Sequence, residues 1–393
     1  MGIFIDNVRA VFPEERMAAT SIRFADGKVA ALDLEAPEPG DTIVQGNGRL
    51  LTPGLVDVHV HGVMRYNFDN GPDDLLAASQ CFPRFGVTTV LPTVVPRRGS
   101  DMLPRLADLA DALDRVEGTK MPGLHLEGPF TALPGAGCDR IAGDLGLLEE
   151  LLAACRQRVR VMSLSPDTPR ILPVIERLRE RGIAPFVTHT RATLAEAQAA
   201  MAAGARHATH FYDVFPIPPD EDPGVRPAGV VEAFLVDPNA TVDFIADGCH
   251  VDPVVIQLAV RAKTCRGVAV ITDANIGAGL PAGVYPTPWG YPVRVEPGNG
   301  ARIADPAHPL HGGLAGSALT MNVAMANVLK WIDGPPERIW AMGTINPVRA
   351  AGLAATGKLT VGDDADAVLW NDGLTPAMTW VRGQNVLHQG HHV

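Results

Sequence analysis

Residues 54–62 read GLVDVHVHG, a run in which Val56, Val58 and Val60 alternate with Asp57, His59 and His61. Alternation with period two marks a strand and sets the aspartate and both histidines on one face. Two imidazoles at i and i+2 can then meet one metal ion. A His-x-His pair alone is also ordinary polar surface; here Gly54 and Gly62 bracket an otherwise apolar strand, which favours the ligand reading.

On the C-terminal side of this run, apolar stretches alternate with segments of helical period. Strands are predicted at 55–59, 87–94, 123–127, 159–164, 184–189, 207–210, 241–245 and 268–273. Helices are predicted at 101–115, 147–158, 170–181, 194–203, 253–265 and 319–331, with Ser100 and Thr193 as N-caps. Eight strands in βα alternation predict a closed (β/α)8, TIM-like barrel over residues 53–352. A doubly wound open sheet is the second choice, and no glycine-rich phosphate fingerprint supports it. The flanks differ. Residues 1–52, and the chain again from Gly357, read as short strands and turns with no helix-length period. Each half leaves strand edges that the other can cover, which predicts a small β-sandwich built from 1–52 and 353–393.

The bulk numbers narrow the function. A 46% hydrophobic fraction supplies a large core, and a formal charge of −11 without any block of lysine or arginine disfavours nucleic acid or an anionic membrane as partner. The N-terminus lacks a basic segment followed by an apolar one, and no run of about 18 apolar residues occurs, so a cytoplasmic protein with a small-molecule substrate is expected. The five cysteines are scattered without CxxC spacing, which favours reduced thiols.

His59, Glu127, His189, His210 and Asp273 each fall at or just past the C-terminal end of a predicted strand, the rim where such barrels keep their active sites. Taken singly, Glu127 also reads as a strand-end carboxylate bonded to backbone, and His189 and His210 as satisfied strand-end histidines. Five from five strands favour a site. His125 and His207, on the same strands, suit core or supporting roles. Asp273 stands one threonine past four apolar residues, a costly place for an unpartnered carboxylate; it is assigned the general base and acid role. Imidazole and carboxylate donors together suit zinc or another divalent transition metal with a position left for water. Such an ion lowers the pKa of bound water from about 15.7 towards 7, and a free carboxylate can take the proton and pass it on.

The segments PGLVDVHVHG, GLHLEGPF, THTRATLAEAQAAMAAGARHATHFYD, IADGCHVDP, ITDAN, LAGSALTM and GKLTVGDDADAVLW follow one another along nearly the whole chain. In this the sequence resembles the amidohydrolase superfamily and, within it, the N-acetylglucosamine-6-phosphate deacetylase family. The resemblance implies a barrel carrying a terminal β-sandwich, a divalent metal held by Glu127, His189 and His210, Asp273 as acid and base, and a homodimer. Some members hold a second ion with the His-x-His pair, so His59 and His61 leave one or two ions open. Arg226 matches an arginine that grips the sugar phosphate, though it also reads as a surface-loop arginine, and His250 matches a histidine that reaches the substrate. Two departures stand out. Asp213 replaces the family's asparagine near the phosphate, and residues 131–143, TALPGAGCDRIAG, lack the histidine of the family's KGAH-like loop. Both bear on the substrate rather than on the reaction, and leave open a phosphate-free N-acyl, cyclic amide or lactone substrate. A nucleobase deaminase fits the LEGP and LAGSALT segments poorly, and a scaffold without catalysis fits poorly with every ligand position filled. Finally, 276–313 is long for a βα connection and reads as a lid or binding loop carrying Tyr285, Trp289 and Tyr291.

Overall fold

The computed structural model describes residues 2–135, 138–219, 222–354 and 356–387. At its centre are eight parallel strands: β1 (Leu55–Val60), β2 (Val87–Val94), β3 (Leu124–Glu127), β4 (Val159–Leu164), β5 (Ala184–Val187), β6 (His207–Ala208), β7 (Thr241–Ile245) and β8 (Val268–Ile271). They lie side by side in chain order, so every crossover leads to the neighbouring strand. β1 and β2 are buried along their whole length, as strands trapped between a filled interior and an outer helical layer must be. Backbone hydrogen bonds close the ring between its first and last strands, from Asp273 N–H to His59 C=O at 2.9 Å and from His61 N–H to Ala274 C=O at 2.8 Å. The closed eight-stranded barrel agrees with the reading of the sequence.

The outer helices largely match as well. Leu194–Ala203 begins at Thr193, whose hydroxyl accepts from the Glu196 N–H in a capping box. Ser100 does not cap; the helix starts at Met102 with Asp101 at the cap position. Helices at Pro72–Cys81 and Val230–Val236 were not legible from the sequence, the second being short and neither having a side-chain cap at its start. Among the described residues no helix is long and apolar enough to cross a membrane.

Strands from both chain ends share one sheet. Leu50–Pro53 pairs in parallel with Ile3–Phe12 and antiparallel with Ala367–Asn371, with Leu51 opposite Leu369. The sheet rolls back on itself. Phe24 and Trp380 lie on strands four places apart in the ladder, which a flat sheet would hold about 19 Å from each other; their rings pack edge to face at 6.0 Å. Ile5, Val8, Ile22, Leu51, Leu369 and Trp380 form the enclosed core.

The long connection after β8 is not a bare loop. Gly283–Tyr285, Val293–Glu296 and Gly300–Ile303 form an antiparallel three-stranded sheet with its own small core of Val293, Val295, Ala301 and Ile303. It stands over the C-terminal rim.

Candidate metal centre

Three of the residues in question end their strands by the same device. The ladders of β5, β6 and β8 stop at Val187, Ala208 and Ile271, two positions short of His189, His210 and Asp273. These three residues have φ of 45°, 36° and 48°. A left-handed conformation costs a non-glycine residue on the order of 1 kcal/mol or more. It turns each chain abruptly, so that the side chain swings over the barrel axis instead of continuing the strand's alternation. The strain coincides in three places at one rim, which is where function rather than folding selects it.

The side chains converge. Glu127 Oε1 lies 3.0 Å from His189 Nε2, 3.4 Å from His210 Nε2 and 3.8 Å from His59 Nε2, while Glu127 Oε2 is 3.2 Å from His61 Nε2. On the other side, Asp273 Oδ1 is 3.5 Å from His59 Nε2 and 3.3 Å from His61 Nε2. All six side chains are buried. Two triples bring potential ligand atoms within 4.8 Å of one another: His59, Glu127 and His210, and His59, His61 and Asp273. His189 belongs to neither and joins through Glu127.

Electrostatics follow from this crowding. Burial pushes the His61 pKa down, but Asp273 and Glu127 outweigh it and lift it to about 10. Burial also lowers that of His210, and Glu127 reverses it to about 9. Burial raises the Asp273 carboxyl, yet His59 and His61 hold it well below the ordinary carboxylate range; His189, His210 and His61 do the same for Glu127. His125, beneath the cluster, is pushed far below the usual histidine value by burial and by His59. It spans Val58 C=O at 2.7 Å and Ser163 Oγ at 2.5 Å, the supporting role its position suggested.

These donors fit a divalent cation. Ligands about 2.1 Å from a tetrahedral ion stand about 3.4 Å apart, and the N–O separations here run from 3.0 to 3.8 Å. His59 Nε2 and Glu127 Oε2 are buried without a hydrogen-bond partner. In the neutral ring that metal ligation requires, the His59 Nε2 lone pair faces two carboxylates, an arrangement that a cation between them makes attractive.

The surroundings include Gly135, which sequence reasoning passed over, together with Trp289 of the long loop and Asp57 of the histidine face, which it named. Gly135 sits against the His189 ring, where a Cβ would come within 1.9 Å of Cε1; only glycine allows the 131–135 segment to close over that imidazole. Trp289 meets the His61 ring edge-on at 5.2 Å and is anchored by its indole N–H to Asp69 Oδ2 at 3.0 Å. Asp57, on the same face as the histidines, accepts from Thr272 Oγ1 at 2.5 Å, and burial raises its pKa to about 7 against those bonds. Neither Gly135 nor Trp289 has a spacing signal, since each acts across the rim from a distant segment.

The three residues assigned to substrate are not gathered in the same way. The side chain of His250 is buried, with Nδ1 at 2.8 Å from Asp247 Oδ2. Burial lowers its pKa, but Asp247 raises it above the ordinary value, with Asp213 and Asp273 adding to the effect. Asp213 lies exposed on the turn after His210, its N–H donating to the His210 carbonyl at 3.2 Å. Arg226 points elsewhere: Nη1 donates to Glu232 Oε1 at 2.8 Å, and its side chain is 64% exposed.

Comparison with known proteins agrees with the geometry. The Amidohydrolase family model matches residues 299–386. The N-acetylglucosamine-6-phosphate deacetylase of Vibrio furnissii is 31% identical, over 92% of this chain and 89% of the relative. The N-acetylgalactosamine-6-phosphate deacetylase of Escherichia coli O157:H7 is also 31% identical, over 92% of this chain and 93% of the relative. Among solved structures, N-acetyl-D-glucosamine-6-phosphate deacetylase of Mycobacterium smegmatis superposes with a TM-score of 0.84 at 26% identity, covering 99% of both chains. The chain therefore belongs to the amidohydrolase family, hydrolases of carbon–nitrogen bonds, on the branch that holds the amino-sugar-6-phosphate deacetylases.

Proposed function

We propose that this protein is a divalent-metal-dependent deacetylase that hydrolyses the acetamido bond of an N-acetylated amino-sugar phosphate. The observation that carries the reading is the convergence of Glu127, Asp273 and the imidazoles of His59, His61 and His210 within ligand distance at the barrel mouth. Zinc suits this mixed nitrogen and oxygen set, with Glu127, His189, His210, His59 and His61 as the residues that would hold one or two ions. A bound ion supplies Lewis acidity and a water of lowered pKa. Asp273, whose Oδ1 lies 3.5 Å from His59 Nε2 and 3.3 Å from His61 Nε2, is the base that takes the proton of the attacking water and returns it to the departing nitrogen. His250, backed by Asp247, orients the substrate. Trp289 and the 131–135 segment narrow the mouth and keep bulk water from it. A cytoplasmic setting is part of the proposal, as is a homodimer, which rests on family resemblance.

N-acetylglucosamine-6-phosphate and its galacto epimer are the first substrates to assay side by side. Turnover is expected to vanish on chelation and to return with zinc. Asp273→Asn is expected to lower kcat by about 10²–10⁴-fold with the fold intact; activity that survives both treatments would sink the proposal.

One observation favours a second reading within the same mechanism. Arg226 is neutralised by Glu232, and the Asp213 carboxylate is near enough to raise the pKa of His250, an arrangement unfavourable to a phosphate dianion. A phosphate-free N-acyl substrate then replaces the sugar phosphate. Arg226→Ala separates the two: KM rises steeply for a phosphorylated substrate and stays put for a neutral one.

A further inference from the structure

A chain of buried hydrogen bonds runs from the far side of β6 and β7 into the mouth. His207 Nε2 is 2.8 Å from Asp243 Oδ2, and His207 Nδ1 is 2.7 Å from Thr241 Oγ1. Asp243 Oδ1 accepts from the His210 backbone N–H at 2.6 Å and from Thr209 Oγ1 at 3.1 Å. Thr209 Oγ1 in turn lies 3.3 Å from His59 Nδ1. Asp243 has no exposed surface and, among the described residues, no lysine or arginine partner. A carboxylate there is unfavourable unless its donors are all in place.

The direction of these bonds is forced by chemistry. A threonine hydroxyl has one hydrogen to give. An ionised carboxylate only accepts, so that hydrogen goes to Asp243, and the threonine oxygen can only accept from His59. In the neutral ring that binds a metal, the one hydrogen of His59 is thereby placed on Nδ1. Its Nε2 lone pair is left facing Glu127 and Asp273, the one nitrogen of this imidazole without a hydrogen-bond partner. Asp243 meanwhile ties down the backbone of His210, which holds φ at 36°. One buried carboxylate thus governs two residues of the centre, through a hydroxyl on one side and a peptide N–H on the other.

We infer that Asp243 and Thr209 are positioning residues that set the tautomer and ring orientation of His59 for metal capture, with His207 holding Asp243 in place. The inference rests on the metal-dependent reading of the site. It is independent of which sugar is cleaved.

The experiment uses the full-length protein and zinc. Thr209→Val deletes the hydroxyl at nearly constant shape, and Thr209→Ser restores it. Zinc affinity is measured by competition with a chromophoric chelator, and fold by thermal unfolding in excess chelator. Outer partners of metal-ligating histidines typically contribute 10–100-fold to affinity. Thr209→Val is expected to weaken zinc binding by that factor while the metal-free unfolding temperature holds, and Thr209→Ser to bind within about threefold of wild type. If the valine variant does not fold, Thr209→Ala takes its place with the same expectation. Wild-type affinity in the hydroxyl-less variant overturns the inference while leaving the deacetylase reading standing. A wild-type protein that takes up no metal removes that reading and this inference with it.

Discussion

Two charged clusters built round buried carboxylates lie at opposite ends of the barrel, and they follow opposite rules. Beneath the barrel, Lys120 Nζ reaches Asp364 Oδ2 at 2.8 Å and also contacts Asp366 Oδ2, while Lys28 Nζ takes Asp364 Oδ1 at 2.7 Å. Asp366 also accepts from the Arg382 N–H at 2.9 Å and from Thr356 Oγ1 at 3.0 Å. Every carboxylate oxygen there has a donor, and the cluster joins the barrel to the terminal sheet. At the mouth, Glu127 and Asp273 face imidazoles, and among the described residues neither pairs with a lysine or arginine, while His59 Nε2 and Glu127 Oε2 lack hydrogen-bond partners. A charge cluster that satisfies itself holds a fold together; one that converges and leaves lone pairs over is arranged for something else to bind.

That contrast can be broken by substitution. Glu127→Gln should cost the most in function: a residue that touches the ion matters at least as much as its outer partners, so metal affinity and turnover should fall by about a hundredfold or more. The unfolding temperature in excess chelator should barely move, or rise, because a buried carboxylate has been removed. A variant that keeps its metal but loses its fold would show that the mouth is structural after all. Lys120→Met should do the reverse. It leaves Asp364 and Asp366 short of their shared cation, and breaking a buried pair in this way costs about 3–5 kcal/mol. Denaturant unfolding should register that loss, while zinc stoichiometry and kcat of the folded fraction stay at wild-type values.

The smallest effect tests a surface counterpart of the lower cluster. Arg349 grips Glu14 with two bonds of 2.7 and 2.6 Å, linking the N-terminal hairpin to the Ile345–Ala350 helix. The hydrogen bond from Arg349, against some burial, holds the Glu14 carboxyl below its ordinary 4.5. A depressed folded-state pKa means that this contribution is present above the unfolded value and disappears as pH falls through the lower folded one. A partly exposed pair of this kind contributes about 1 kcal/mol or less. Wild type should therefore exceed Glu14→Gln slightly in stability from pH 6 to 7, and the two curves should merge in acid below the folded pKa. Curves that stay parallel through the acid range would remove the ion pair from the account.

Much of this was legible in the sequence, for reasons that differ by residue. The period-two run at 54–62 announces a strand because alternation is a local property of side-chain direction, and β1 spans Leu55–Val60. The apolar runs at β2, β4 and β7 have their predicted bounds for the same reason. Strands predicted to continue to His189, His210 and Asp273 stop two residues early, because the left-handed φ of each is imposed by what the side chain must reach. The fifth N-terminal strand, Leu50–Pro53, escaped notice because its partner Ala367–Asn371 lies more than 300 residues away in the chain. In the 276–313 segment glycines and prolines hid a small sheet whose pairing is antiparallel and entirely local.

Composition, strand period and the residues at strand ends were enough, by themselves, to specify a barrel with acidic and imidazole groups at its rim, since these depend on neighbours in the chain. Which nitrogen of His59 faces the carboxylates, whether Arg226 is free or held by Glu232, and which buried carboxylate is satisfied were decided only when distant segments met. Hydrogen bonds and ion pairs of that kind form at about 3 Å through space, and no periodicity along the chain encodes them.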